Sequence, residues 1–210
     1  MKPGMIRRPL TSLALMGLAL LTAPALATTS AWAAEPAAVT AADRTLGSAD
    51  APVTVIEYSS FTCPHCADWA NTVLPEFKTR FIDSGQVRFV YRDLPTNPGP
   101  VASLAARVSR CVAPDNAFAA IELLMAQQEA ARLMRYPAGW FLNAIEVGGR
   151  PAEEVGACVE DPATQAALDA QIADAQAAGV TGTPSFFVNG KRVEDTSLDG
   201  LAAAIEPLLP

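Results

Sequence analysis

The apolar positions of the chain change period several times, and each change marks an element. Residues 53–58, Val-Thr-Val-Ile-Glu-Tyr, are a β-branched and aromatic run bounded upstream by Asp50, Ala51 and Pro52, which predicts a buried central strand. From Cys63 the pattern turns helical. Ala67, Trp69, Ala70, Val73 and Leu74 recur at helical spacing until Pro75, which is expected to kink or end the helix. Residues 86–91, Gln-Val-Arg-Phe-Val-Tyr, predict a second strand. Between Pro98 and Val159 nothing alternates as a strand does, while apolar residues recur at three and four. Short helices are therefore expected at about 99–113, 116–131, 137–147 and 151–160. A longer helix from Pro162 should stop at Gly179, a suitable C-terminal cap. Residues 185–188 and 191–193, joined by Asn189-Gly190, read as a hairpin, because Asn-Gly suits the positive φ angles of a two-residue turn. A last helix is expected over 197–207. The order gives an α/β fold: a mixed sheet with an all-helical insert at about 98–160.

The N-terminal segment does not fit that alternation. Residues 1–33 carry Lys2, Arg7 and Arg8, no acidic group, and an apolar run from Leu10 to Leu21. This is the pattern of a secretory signal peptide, with small-residue cleavage points after Ala27 and Ala33. The run is short for a membrane anchor. Arg7-Arg8 fits a twin-arginine signal as well as an ordinary basic n-region, so the export route stays open. Residues 34–50, rich in Ala and small polar side chains, read as a mobile leader, and residues 51–210 as one domain. Without residues 1–33 the chain has 12 Lys and Arg against 22 Asp and Glu, a formal charge of −10. So acidic a chain argues against nucleic acid and anionic lipid as partners.

Chemistry concentrates in four consecutive positions. Cys63-Pro64-His65-Cys66 contains two of the four cysteines and the single histidine. Lying where a strand gives way to a helix, Cys63 would meet unpaired N–H groups and the positive end of the helix dipole, both of which favour a thiolate. Cys63 is thus the expected nucleophile and Cys66, one turn in, the resolving partner. His65 is expected to stabilise the thiolate by charge or hydrogen bond. Structural zinc lacks its remaining ligands, since there is no second Cys-x-x-Cys and no second His. Haem attachment needs a His after the second Cys, and Ala67 stands there. No metal and no cofactor are expected. Cys111 and Cys158 lie on apolar helical faces with Val108 and Val155 respectively. They are either buried thiols or a disulfide pinning the inserted helices, and the even count in an oxidising compartment favours the bridge.

Cys63-Pro64-His65-Cys66 after the strand, the helical insert, and residues 179–190, Gly-Val-Thr-Gly-Thr-Pro-Ser-Phe-Phe-Val-Asn-Gly, together resemble the DsbA family of exported thiol-disulfide oxidoreductases. The resemblance implies a thioredoxin-like fold. It implies also that Pro184 is cis across from the Cys63 sulfur, and that Thr183 offers backbone hydrogen bonds to an extended substrate. Glu57 matches the position of a buried acid beneath the active site that accepts the Cys66 proton. Strand alternation leaves a solvated edge as the other place for that acid.

The expected function is an exported dithiol oxidase, periplasmic or secreted and monomeric, that introduces disulfides into reduced or unfolded exported proteins and is recycled by a membrane redox partner. Thr183, a residue type the resemblance associates with isomerases, keeps a reductase or isomerase as the alternative. A non-enzymatic holdase or soft-metal binder is the rival of another class.

Overall fold

A computed structural model of the protein describes Met1 and residues 35–210. The expected signal over residues 1–33, apart from Met1, lies outside the described residues. Among those described, no helix is long and apolar enough to cross a membrane.

Five strands make one mixed sheet: β1 (Arg44–Leu46), β2 (Val53–Ser59), β3 (Val87–Asp93), β4 (Ser185–Val188) and β5 (Lys191–Val193). Their order is β1-β3-β2-β4-β5. β2 and β3 run parallel, and every other neighbouring pair is antiparallel. β1 is a correction to the sequence reading, because it falls in the segment expected to be a leader. Its Arg44 is buried and reaches Asp93 and Ser109, so part of that segment belongs to the sheet. Asn189 and Gly190, with φ of 44° and 81°, turn β4 into β5 as their sequence requires.

Among the described residues the α-helices are α1 (Pro64–Thr72), α2 (Leu74–Phe77), α3 (Gly99–Cys111), α4 (Ala117–Ala126), α5 (Gln128–Leu133), α6 (Ala138–Val147), α7 (Ala152–Glu160), α8 (Pro162–Ala177) and α9 (Leu198–Ile205). Pro75 falls in the first turn of α2, where a missing N–H costs nothing, so the helical path kinks at Val73 and continues through a π-helical turn to Ile82. The single helix expected over 116–131 is two, broken at Gln127. α3 to α7 form the insert.

Strand alternation sorts the core into two layers. Val53, Val55, Phe89 and Phe186 face α1, α9 and the insert. Ile56, Tyr58, Val90 and Phe187 face the end of α8. Trp69 of α1 anchors the first layer: its ring stacks 5.8 Å from Phe89 and lies 4.6 Å from Phe186. Its Nε1 donates to the Thr196 carbonyl at 2.9 Å. Burying such a side chain contributes about 2 kcal/mol or more, so α1 is fixed on the sheet and its N-terminus cannot wander. α8 is clamped over β3 by ions: Arg92 bridges Asp43 and Asp174, both at salt-bridge distance.

The cysteine turn as candidate active site

The loop from β2 to α1 is pinned before it reaches the cysteines. Leu94 N–H donates to the Ser59 carbonyl at 2.7 Å. The Ser60 hydroxyl oxygen accepts from the Thr96 N–H at 3.0 Å and lies 2.9 Å from the Thr96 hydroxyl. Cys63 N–H then donates to the Ser60 carbonyl at 3.1 Å. Cys63 is the N-cap of α1, in extended backbone, and Pro64 occupies the first helical turn. Pro64 suits that place because its fixed φ is helical and it has no N–H to leave unpaired.

The two sulfurs sit in different surroundings. Cys63 is 8% exposed and Cys66 is fully buried; both are thiols. Hydrogen bonding from the Cys66 thiol, opposed by burial and helped by the N-terminus of α1, lowers Cys63 from an ordinary 9.0 to about 5. Cys66 moves the other way. Burial first, then its hydrogen bond to Cys63 and the nearby charge of Glu57, raise it well above 9.0. One sulfur is a thiolate at neutral pH and its neighbour a thiol. That is the division of labour a nucleophile and a resolving cysteine need.

Glu57 lies in the buried layer and not at a solvated edge. It is 3% exposed, paired in register with Tyr91 on β3 and Phe186 on β4. Its Oε1 and the Ser59 hydroxyl are both buried without a hydrogen-bond partner among the described residues. Burial above all pushes its carboxyl up to about 8, with the Cys63 charge adding.

Across from Cys63, the Thr183-Pro184 peptide is cis. The Cys63 sulfur lies 3.3 Å from the Thr183 carbonyl, to which it donates when protonated, so the Pro184 loop and the nucleophile meet. His65, Trp69, Thr183, Pro184, Glu194 and Thr196 line a groove of about 530 Å³ that includes the cis proline. His65 departs from expectation in one respect. Its imidazole stands exposed and makes no hydrogen bond among the described residues.

Cys111 and Cys158 form a disulfide with their Cα atoms 5.7 Å apart, joining α3 to α7 remote from the turn. Among the described residues no group of three or more His, Cys, Asp or Glu could hold a metal ion. One contact was not foreseen: the Gln128 side chain of α5, itself buried, donates to the Cys63 carbonyl at 2.8 Å. Nothing in the polar pair Gln127-Gln128 singles it out, since the contact depends on the break between α4 and α5.

The profile of the family described as Thioredoxin matches residues 39–207. The chain belongs to the thioredoxin family. It is 34% identical over 169 residues to a Rickettsia prowazekii protein provisionally named a protein-disulfide oxidoreductase, a match covering 80% of this chain and 61% of that protein. The chain spans 60% to 63% of the length of the first Rickettsia relatives it matches. Two solved structures share its fold. BdbD from Bacillus subtilis superposes with a TM-score of 0.72 at 23% identity, covering 84% of this chain and 96% of that one. Wolbachia pipientis alpha-DsbA1 gives 0.72 at 21% identity, covering 81% and 92%. The thioredoxin-like, DsbA-type fold with a helical insert is thereby borne out.

Proposed function

We propose that this protein is a thiol-disulfide oxidoreductase working as a dithiol oxidase on exported proteins. The observation that carries the reading is the placement of the two sulfurs: Cys63 caps α1 and meets the Thr183 carbonyl of the cis-proline loop at 3.3 Å, while Cys66 is fully buried one turn in. Stabilising the Cys63 thiolate stabilises the reduced enzyme, which makes the Cys63–Cys66 disulfide oxidising, a relation of which DsbA itself is the established example.

The cycle starts from the disulfide form. A substrate thiolate attacks the Cys63 sulfur, a mixed disulfide forms, and the Cys63–Cys66 bond breaks with its electron pair on Cys66. Glu57, protonated at neutral pH, supplies the proton that the departing Cys66 sulfur takes up. A second substrate thiolate then attacks its own sulfur in the mixed disulfide and expels Cys63 as the stable thiolate. The substrate loses two electrons and the enzyme gains them. A membrane partner of disulfide chemistry would reoxidise the pair, with Glu57 as carboxylate accepting the Cys66 proton. The groove beside the cis proline takes the extended substrate, and the Thr183 backbone offers it hydrogen bonds. The signal-like pattern of residues 1–33 supports an exported protein.

Cys66→Ala tests the assignment of roles. This variant should accumulate covalent adducts with reduced exported proteins, whereas Cys63→Ala should accumulate few. Equal trapping by both would refute the reading.

A further inference from the structure

We propose that Gln128 is a positioning residue for the redox pair: its amide holds the Cys63 carbonyl and so fixes the N-cap geometry that keeps the Cys63 sulfur at the positive end of α1. The inference rests on the oxidoreductase reading and adds to it a role for the helical insert.

The Cys63 carbonyl already accepts the first helical bonds of α1, from Cys66 N–H at 3.1 Å and Ala67 N–H at 3.2 Å. The Gln128 amide, at 2.8 Å, is a third and shorter donor that comes from outside the helix. A carbonyl held from both sides cannot rotate, so the ψ of 117° that sets Cys63 as N-cap is locked. That angle decides where the next peptide planes point. Were it to relax, the sulfur would swing away from the N-terminus of α1 and its thiolate would lose the positive end of the helix.

Gln128 is itself held in place. It is 1% exposed, so rotating it away would bury an unpaired amide or open the packing. The break at Gln127 starts α5 on a new axis, and Gln128 is its first residue. A single helix through 116–131 would carry this side chain elsewhere. The far end of α1 meets the insert as well, since Asn71 Nδ2 donates to the Met125 carbonyl at 3.3 Å. Asn71 is exposed and eight residues from Cys63, so it ties insert to helix without touching the turn. It serves as the control for a general loosening of the interface.

The experiment uses the full mature chain, reduced, with three readouts: thermal unfolding, thiolate absorbance against pH, and the equilibrium with glutathione. Gln128→Met keeps length and shape and removes the donor. It should raise the Cys63 midpoint and make the disulfide less oxidising by about fivefold in the glutathione equilibrium. Asn71→Leu should leave both unchanged. If Gln128→Met does not fold, Gln128→Leu, also uncharged and without a donor, should shift both readouts in the same direction. A folded Gln128 variant with wild-type titration and equilibrium overturns the inference alone. Equal shifts in Asn71→Leu also overturn it, since the effect would then belong to the interface. A wild type whose Cys63 titrates as an ordinary thiol overturns the oxidoreductase reading and the inference with it.

Discussion

Replacing Glu57 by Gln should change how the stability of the reduced protein depends on pH. Glu57 is buried beneath the cysteine turn, and burial raises its carboxyl from an ordinary 4.5 to about 8. A raised acid contributes stability that is fully present below the unfolded value and is lost as pH rises through the folded value, because the unfolded chain ionises first. The window here is 4.5 to about 8. At about 1.4 kcal/mol per pH unit, the loss between pH 5 and pH 7.5 comes to about 3 kcal/mol. Cys63 acts with the opposite sign. Lowered from 9.0 to about 5, it adds stability as pH rises through the same range, so the wild-type curve alone looks flat. The variant removes only the carboxylate contribution. Urea unfolding of reduced wild type and Glu57→Gln at the two pH values therefore isolates it, and the variant should gain about 3 kcal/mol relative to wild type on going to the higher pH. A relative gain below about 1 kcal/mol would refute a buried, largely protonated Glu57 at neutral pH.

Two further outcomes follow from the same geometry. The thiolate absorbance of the reduced protein should rise with a midpoint of about 5, and a midpoint near 9.0 would remove Cys63 as the nucleophile. Replacing both Cys111 and Cys158 by Ala opens a loop of 47 residues. Thermal unfolding should then show a loss of up to about 4 kcal/mol, with Cys63 titrating as before because the bridge is remote from it.

The parts of this molecule that could be read from its sequence are those whose physics is local. The strand over residues 53–58, the Asn189-Gly190 turn and the Cys63 N-cap each depend on a few neighbours, and all three are where the patterns put them. Glu57 could be assigned a face only with the resemblance, because alternation allowed either side. β1 was hidden because three residues, Arg-Thr-Leu, carry no period, and their pairing with β3 is decided by partners more than 40 residues away. The same holds for the ions that bind Arg44, Asp93 and Arg110, whose sequence positions give no sign of meeting. His65 was expected to act on the thiolate by charge or hydrogen bond, and its exposed imidazole makes no hydrogen bond among the described residues. Gln128 could not be found at all without the break at Gln127, which no proline or glycine announces.

The direction of the chemistry is the central claim, and one measurement addresses it without purification. Cells producing the full chain are quenched with acid, free thiols are alkylated, and the states of Cys63 and Cys66 are read by mass. An oxidase fed by a membrane partner should be trapped mostly as the Cys63–Cys66 disulfide. A protein trapped mostly as the dithiol in its native compartment would contradict the oxidase assignment and leave a reductase or isomerase in its place.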